Sequence, residues 1–77
     1  MFERISIDPG IMCGKPCIQG TRIPIYIILN LMAAGYSIEK VLETYPKLTK
    51  EDVLAAISYA GSITEHDESY SLQQIAI

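Results

Sequence analysis

The sequence predicts a mainly α chain. A short β-hairpin leads into three helices in helix-turn-helix order, and a C-terminal arm follows. Three observations carry this. Apolar residues recur at helical spacing in three blocks after residue 24. Pro, Gly, Ser and Thr punctuate those blocks where helices start and stop. The first twenty residues instead alternate apolar and polar between glycines. The 77 residues leave room for one small domain. A chain of that length buries only about 60–65% of its unfolded surface, so a partner subunit would add to a thin core.

In chain order, Arg4–Asp8 alternates, placing Ile5 and Ile7 on one side of a strand that Pro9 and Gly10 end. Cys17 and Ile18 form a second short strand, closed by Gly20. Two such strands are not stable alone and must lie on something or pair with another subunit. Asp8, just before Pro9-Gly10, is placed to accept backbone N–H groups of the turn.

Pro24 marks the start of the first helix, with Thr21 as its expected cap. Ile25, Ile28, Leu29, Met32 and Ala33 share a face, and Gly35 is the expected terminator. Ser37 caps the second helix, whose stripe is Ile38, Val41 and Leu42, and Pro46 closes it. Leu48, Thr49 and Asp52 then read as staple, N-cap and N3 acceptor of an approximate capping box. The third helix is expected from Lys50 to about Ala60, with Val53, Leu54 and Ile57 as its core face and Gly61 as its stop. Residues 1–61 form the expected domain and residues 62–77 an arm that docks on its own chain or on a partner. The arm is acidic at first and then apolar, through Tyr70, Leu72, Ile75 and Ile77. With Ile5 and Ile7, these four are the candidate partner interface.

Charge is distributed unevenly. All 6 basic side chains lie in residues 1–50, whereas residues 51–77 hold Glu51, Asp52, Glu65, Asp67 and Glu68 and no base. The net charge of -3 therefore conceals a positive first part, the side suited to a polyanion. Lys15, Thr21 and Arg22 in Gly/Pro-rich backbone, and Lys47 and Lys50 around the start of the third helix, are the candidate phosphate contacts. Glu51 and Asp52, expected on the solvent face of that helix, oppose direct base reading there. Short helices with a four-residue break are common in small helical domains, so the spacing alone leaves DNA binding and a plain interaction module both open.

Other chemistry finds little support. Cys13 and Cys17 are spaced C-x3-C with no second pair, and His66 is the sole histidine, so neither metal nor any other cofactor is expected. No nucleophile has a base beside it in sequence, Gly14-Lys15 lacks the rest of a phosphate-binding loop, and enzymatic activity is not expected. No signal peptide is visible and the longest apolar block is short of a membrane span, so the expected compartment is the cytoplasm, with two free thiols.

Three blocks carry a resemblance. Asp8-Pro9 with Gly14-Lys15-Pro16, then Gly20-Thr21-Arg22-Ile23-Pro24, then Tyr45-Pro46 through Leu48-Thr49 to Tyr59-Ala60 closely resemble the DUF433 family, small proteins similar to VapB-type antitoxins. The resemblance spans roughly Arg4 to Ala60. Cys13 stands where the family usually has Gly, and Cys17 where it usually has Val. The resemblance implies a winged or homeodomain-like helix-turn-helix core, a homodimer and, in some operons, a neighbouring PIN-like toxin. Gly20, Thr21 and Arg22 would be the motif turn and Tyr45 to Thr49 the link between helices two and three. The functional expectation is an antitoxin-like protein that binds double-stranded DNA, autoregulates its operon and neutralises that toxin. The alternative is a dimeric protein-interaction module without DNA contact.

Overall fold

The computed structural model describes residues 3–65. Strand β1 (Ile5–Ser6) and strand β2 (Cys17–Ile18) pair antiparallel, with Ile5 opposite Ile18 and Ser6 opposite Cys17. Helices α1 (Ile25–Ala33), α2 (Ile38–Thr44) and α3 (Lys50–Glu65) follow, and each packs on the other two.

The hairpin is short, so neighbouring backbone completes its pairing. The Gln19 N–H donates to the Arg4 carbonyl at 2.7 Å, the Ile18 N–H to Ile23 at 3.0 Å and the Ile25 N–H to Pro16 at 2.9 Å. Strand β2 is thereby held by β1 on one side and by the approach to α1 on the other. It is also the buried strand, with Cys17 and Ile18 each 1% exposed. Its connection to β1 runs through a tight turn at Met12–Gly14, where Met12, Cys13 and Gly14 all have positive φ, at 51°, 57° and 82°. Glycine adopts that conformation freely, whereas an L side chain costs about 1–2 kcal/mol per residue. Cys13 thus carries, with a side chain, a conformation that favours glycine.

The start of α1 differs from the sequence expectation. Pro24 is the N-cap residue, extended and without a side-chain cap bond. Thr21 does not cap this helix. Its hydroxyl donates to the Ile18 carbonyl at 2.8 Å and accepts the Ile23 N–H at 3.1 Å, closing the turn that leads to the helix. At the other end, Gly35 (φ 103°) donates to Met32 at 3.0 Å and Tyr36 to Leu31 at 3.0 Å. This is a Schellman closure of the kind the glycine implied.

Ser37 caps α2 by accepting the Lys40 N–H at 3.1 Å. The capping box of α3 is complete: Thr49 Oγ1 accepts the Asp52 N–H at 3.2 Å, and Asp52 Oδ2 accepts the Thr49 N–H at 3.0 Å. Leu48, just before the cap, is buried in the same cluster as Val53, so the staple and the core are one assembly. That core joins Ile18, Ile25, Ile28, Val41, Leu48, Val53 and Ala56, with Ile5, Leu29 and Tyr59 packed around it.

Helix α3 departs from expectation twice. It runs through Gly61 to Glu65 rather than stopping near Ala60. Glycine ends a helix only where the chain turns left-handed, and among the described glycines only 14, 20 and 35 do so. The helical cost of Gly61 is about 1 kcal/mol, too little to end the helix. Its inward face is also rotated from the one expected. Val53 and Ala56 are buried, whereas Leu54 and Ile57 are exposed at 46% and 39%. Apolar residues lie on both sides of this helix, and the choice belongs to Asp52. Its bonds turn it inward, against the expectation of a solvent-facing carboxylate, and the helix rotates with it.

Candidate nucleic-acid interface

The interface is built on two turns. Gly20, with φ 81°, bends the chain out of β2. Thr21 fastens that bend with its two hydroxyl bonds and leaves Arg22 exposed at its tip. The second turn links α2 to α3. The Leu48 N–H donates back to Tyr45 at 2.9 Å, Leu48 is drawn into the core, and Lys47 is left outside. Folding brings the two turns to one groove of about 530 Å³, lined by Asp8, Gln19, Gly20, Thr21, Arg22 and Lys47 among others.

The groove carries two cations and one carboxylate. Asp8 is engaged locally: its Oδ1 accepts the Gly10 N–H at 2.9 Å and its carbonyl accepts the Ile11 N–H at 2.9 Å, the turn role expected of it. Arg22 and Lys47 make no ion pair among the described residues, where the single salt bridge joins Arg4 to Asp52. A pair of cations without carboxylate partners beside a polar turn suits a phosphate, which takes charge-assisted bonds from both.

The other candidates separate. Thr21 lines the groove, but its proton is committed to Ile18, so its role there is to hold the turn. Lys50 is the exposed first residue of α3, beside the groove but not on its lining. Lys15 lies elsewhere, its ammonium 5.9 Å from the centre of the Tyr26 ring, beside a second groove. Of the candidate partner residues, Ile5 is packed against the core and Ile7 is 60% exposed. Tyr70, Leu72, Ile75 and Ile77 lie outside the described residues.

Two features were not visible in the sequence. One is the partner of Asp52. Arg4 Nη1 donates to Asp52 Oδ1 at 3.0 Å, so one carboxylate caps α3 with one oxygen and anchors the hairpin with the other. Asp52 is thus removed from the set of charges that would repel a phosphate, and Glu51 remains exposed. The other is the groove beside Lys15, whose walls come from α1 and the far end of α3.

Among the described residues no group of three or more His, Cys, Asp or Glu side chains could hold a metal ion, and no helix is long and apolar enough to cross a membrane. Cys13 is exposed and Cys17 buried, both as free thiols. The buried thiol donates to the Lys15 carbonyl at 3.4 Å.

With hairpin, turns and helices placed, the family model described as a protein of unknown function, DUF433, matches residues 5–60. The chain belongs to the DUF433 family. The matched span contains every element from β1 through most of α3, and with them both turns of the groove. A solved DUF433 protein from Anabaena variabilis ATCC 29413 superposes with a TM-score of 0.71 at 32% identity, over 96% of this chain and 69% of the other. The uncharacterized protein y4eO of Sinorhizobium fredii is 40% identical over 58 residues, which is 75% of this chain. The chain spans 26% of that relative's length, so the DUF433 unit there is part of a larger protein.

Proposed function

We propose that this DUF433 chain is an antitoxin-like protein of the cytoplasm that binds double-stranded DNA as a homodimer and autoregulates its operon. In the same reading it neutralises a PIN-like toxin. The observation that carries the DNA half is the convergence of Arg22 and Lys47, distant in sequence, on one groove beside the α2–α3 turn, without carboxylate partners among the described residues. Two further features support it. Lys50 stands exposed beside the groove at the start of α3, and Asp52 is turned inward. The contacts are of the phosphate-positioning kind, and a homodimer doubles them.

The test is fluorescence anisotropy with a duplex from the region upstream of the coding sequence, at about 50 and 200 mM salt. Binding is expected to fall steeply with salt. Arg22→Ala and Lys47→Ala each reduce the slope of log K against log salt by about one, with unchanged melting. Absence of binding at low salt by the folded protein overturns the DNA half.

A second reading, an interaction module without DNA contact, is favoured by the exposed Leu54 and Ile57 on one side of α3. In that case a pull-down recovers a small nuclease-like chain, and Arg22→Ala leaves repression unchanged.

A further inference from the structure

The second groove has the opposite character to the first. It has a volume of about 520 Å³ and lies between α1 and the last turns of α3, with Tyr26 and Leu29 on one wall, Tyr59, Ala60 and Ile63 on the other, and Lys15 at its lip. Ile63 and Tyr26 are large apolar side chains left 54% and 45% exposed. We propose that this groove seats the chain's own C-terminal segment, residues 70–77, folded back across it.

Position, chemistry and charge argue for that occupant. Helix α3 ends at Glu65, two residues beyond a wall of the groove. Residues 66–69, His-Asp-Glu-Ser, are a polar spacer that reaches at most about 14 Å. The α3 wall from Tyr59 to Ile63 covers only about 6 Å of helix, so the spacer is long enough to return along it. The eight residues beyond it include Tyr70, Leu72, Ile75 and Ile77 and carry no charged side chain, which matches an apolar groove. Asp67 and Glu68 in the spacer complement Lys15 at the lip. A short tether holds such a segment at an effective concentration of order mM, which favours the chain's own segment over that of a second copy.

The inference is independent of the DNA-binding reading. In the toxin reading it adds a condition: a toxin that takes the arm must first displace it from the groove.

The test is methyl NMR on the full chain. Expected are NOEs from the Leu72 and Ile75 methyls to the Tyr26 ring, and none between chains in a mixture of labelled and unlabelled protein. The double variant Leu72→Asp with Ile75→Asp then loses these NOEs and shifts the Tyr26 ring signals, while the amide signals of α2 stay in place. Absence of the NOEs in the folded wild-type chain overturns the proposal. So does their presence only between labelled and unlabelled copies, which would assign the groove to a second chain's segment. A double variant that disperses poorly leaves the wild-type NOEs as the deciding measurement.

Discussion

The hairpin and the helical cluster are held by different forces. Helices α1, α2 and α3 meet around side chains with no accessible surface, Ile28, Val41, Val53 and Ala56, and their ends are closed by Gly35, Ser37 and the Thr49–Asp52 box. The hairpin contributes one large fully buried aliphatic residue, Ile18. Otherwise it relies on single bonds: Gln19 to Arg4, Ile25 to Pro16 and Arg4 to Asp52. It also contains the left-handed residues Met12 and Cys13. One region is stabilised by burial. The other is stitched to it by polar contacts and includes conformational strain. The comparison shows why a two-strand sheet of this size persists: it is a cover on the helices, fixed at a few points.

The largest expected effect tests the helical side. Ile28→Ala removes a fully buried side chain and is expected to cost about 3 kcal/mol. In a domain of this size that is a large part of total stability, and chemical denaturation should show the whole chain melting early. A loss below about 1 kcal/mol would mean that the helices do not depend on this core.

Asp52→Ala comes next because it removes the α3 cap and the hairpin's ion pair together. A loss of about 1.5 kcal/mol is expected, mostly from the cap. Arg4→Ala removes the pair alone and, since the Arg4 side chain is 51% exposed, should cost about 0.5 kcal/mol. A double-mutant cycle between the two should give a coupling under about 1 kcal/mol. A larger coupling would show that the stitch carries more of the fold than its exposure implies.

Two glycine exchanges sharpen the contrast in opposite directions. Cys13→Gly relieves a left-handed residue in the turn and is expected to stabilise by about 1 kcal/mol, a rise in Tm of about 4–8 °C. Gly61→Ala removes helical entropy cost at a position with nothing within 4 Å of the added methyl, and should stabilise by about 0.5–1 kcal/mol. Thermal denaturation followed by circular dichroism checks both. A destabilising Gly61→Ala would mean that α3 does not run through residue 61.

Much of the helical side was legible because its signals are local. Ser37, Thr49 with Asp52, and Gly35 act within a few residues, and the structure uses each as the spacing implied. The misreadings share one cause. Whether Gly61 stops a helix depends on the backbone turning left-handed, which no neighbour decides. Whether α3 buries Leu54 or Ala56 depends on what Asp52 binds, and that partner is Arg4, at the other end of the domain. Thr21 was read as a helix cap because it precedes Pro24, yet its bonds run to Ile18 and Ile23. The candidate interface was legible as residue types. Its composition was not: that Arg22 and Lys47 share a groove while Lys15 does not follows from the packing of two turns, a tertiary fact.

The Asp52 carboxylate gives the molecule a point where two motions are counted together. Thr49 N–H rests on one oxygen and Arg4 on the other, so a hairpin that lifts away takes the second contact and leaves the carboxylate free to rotate off the first. The exchange rate of one amide at the head of α3 is therefore a gauge of strands that begin at Ile5. A molecule that draws Arg4 outward is felt at the start of the helix before any buried side chain moves.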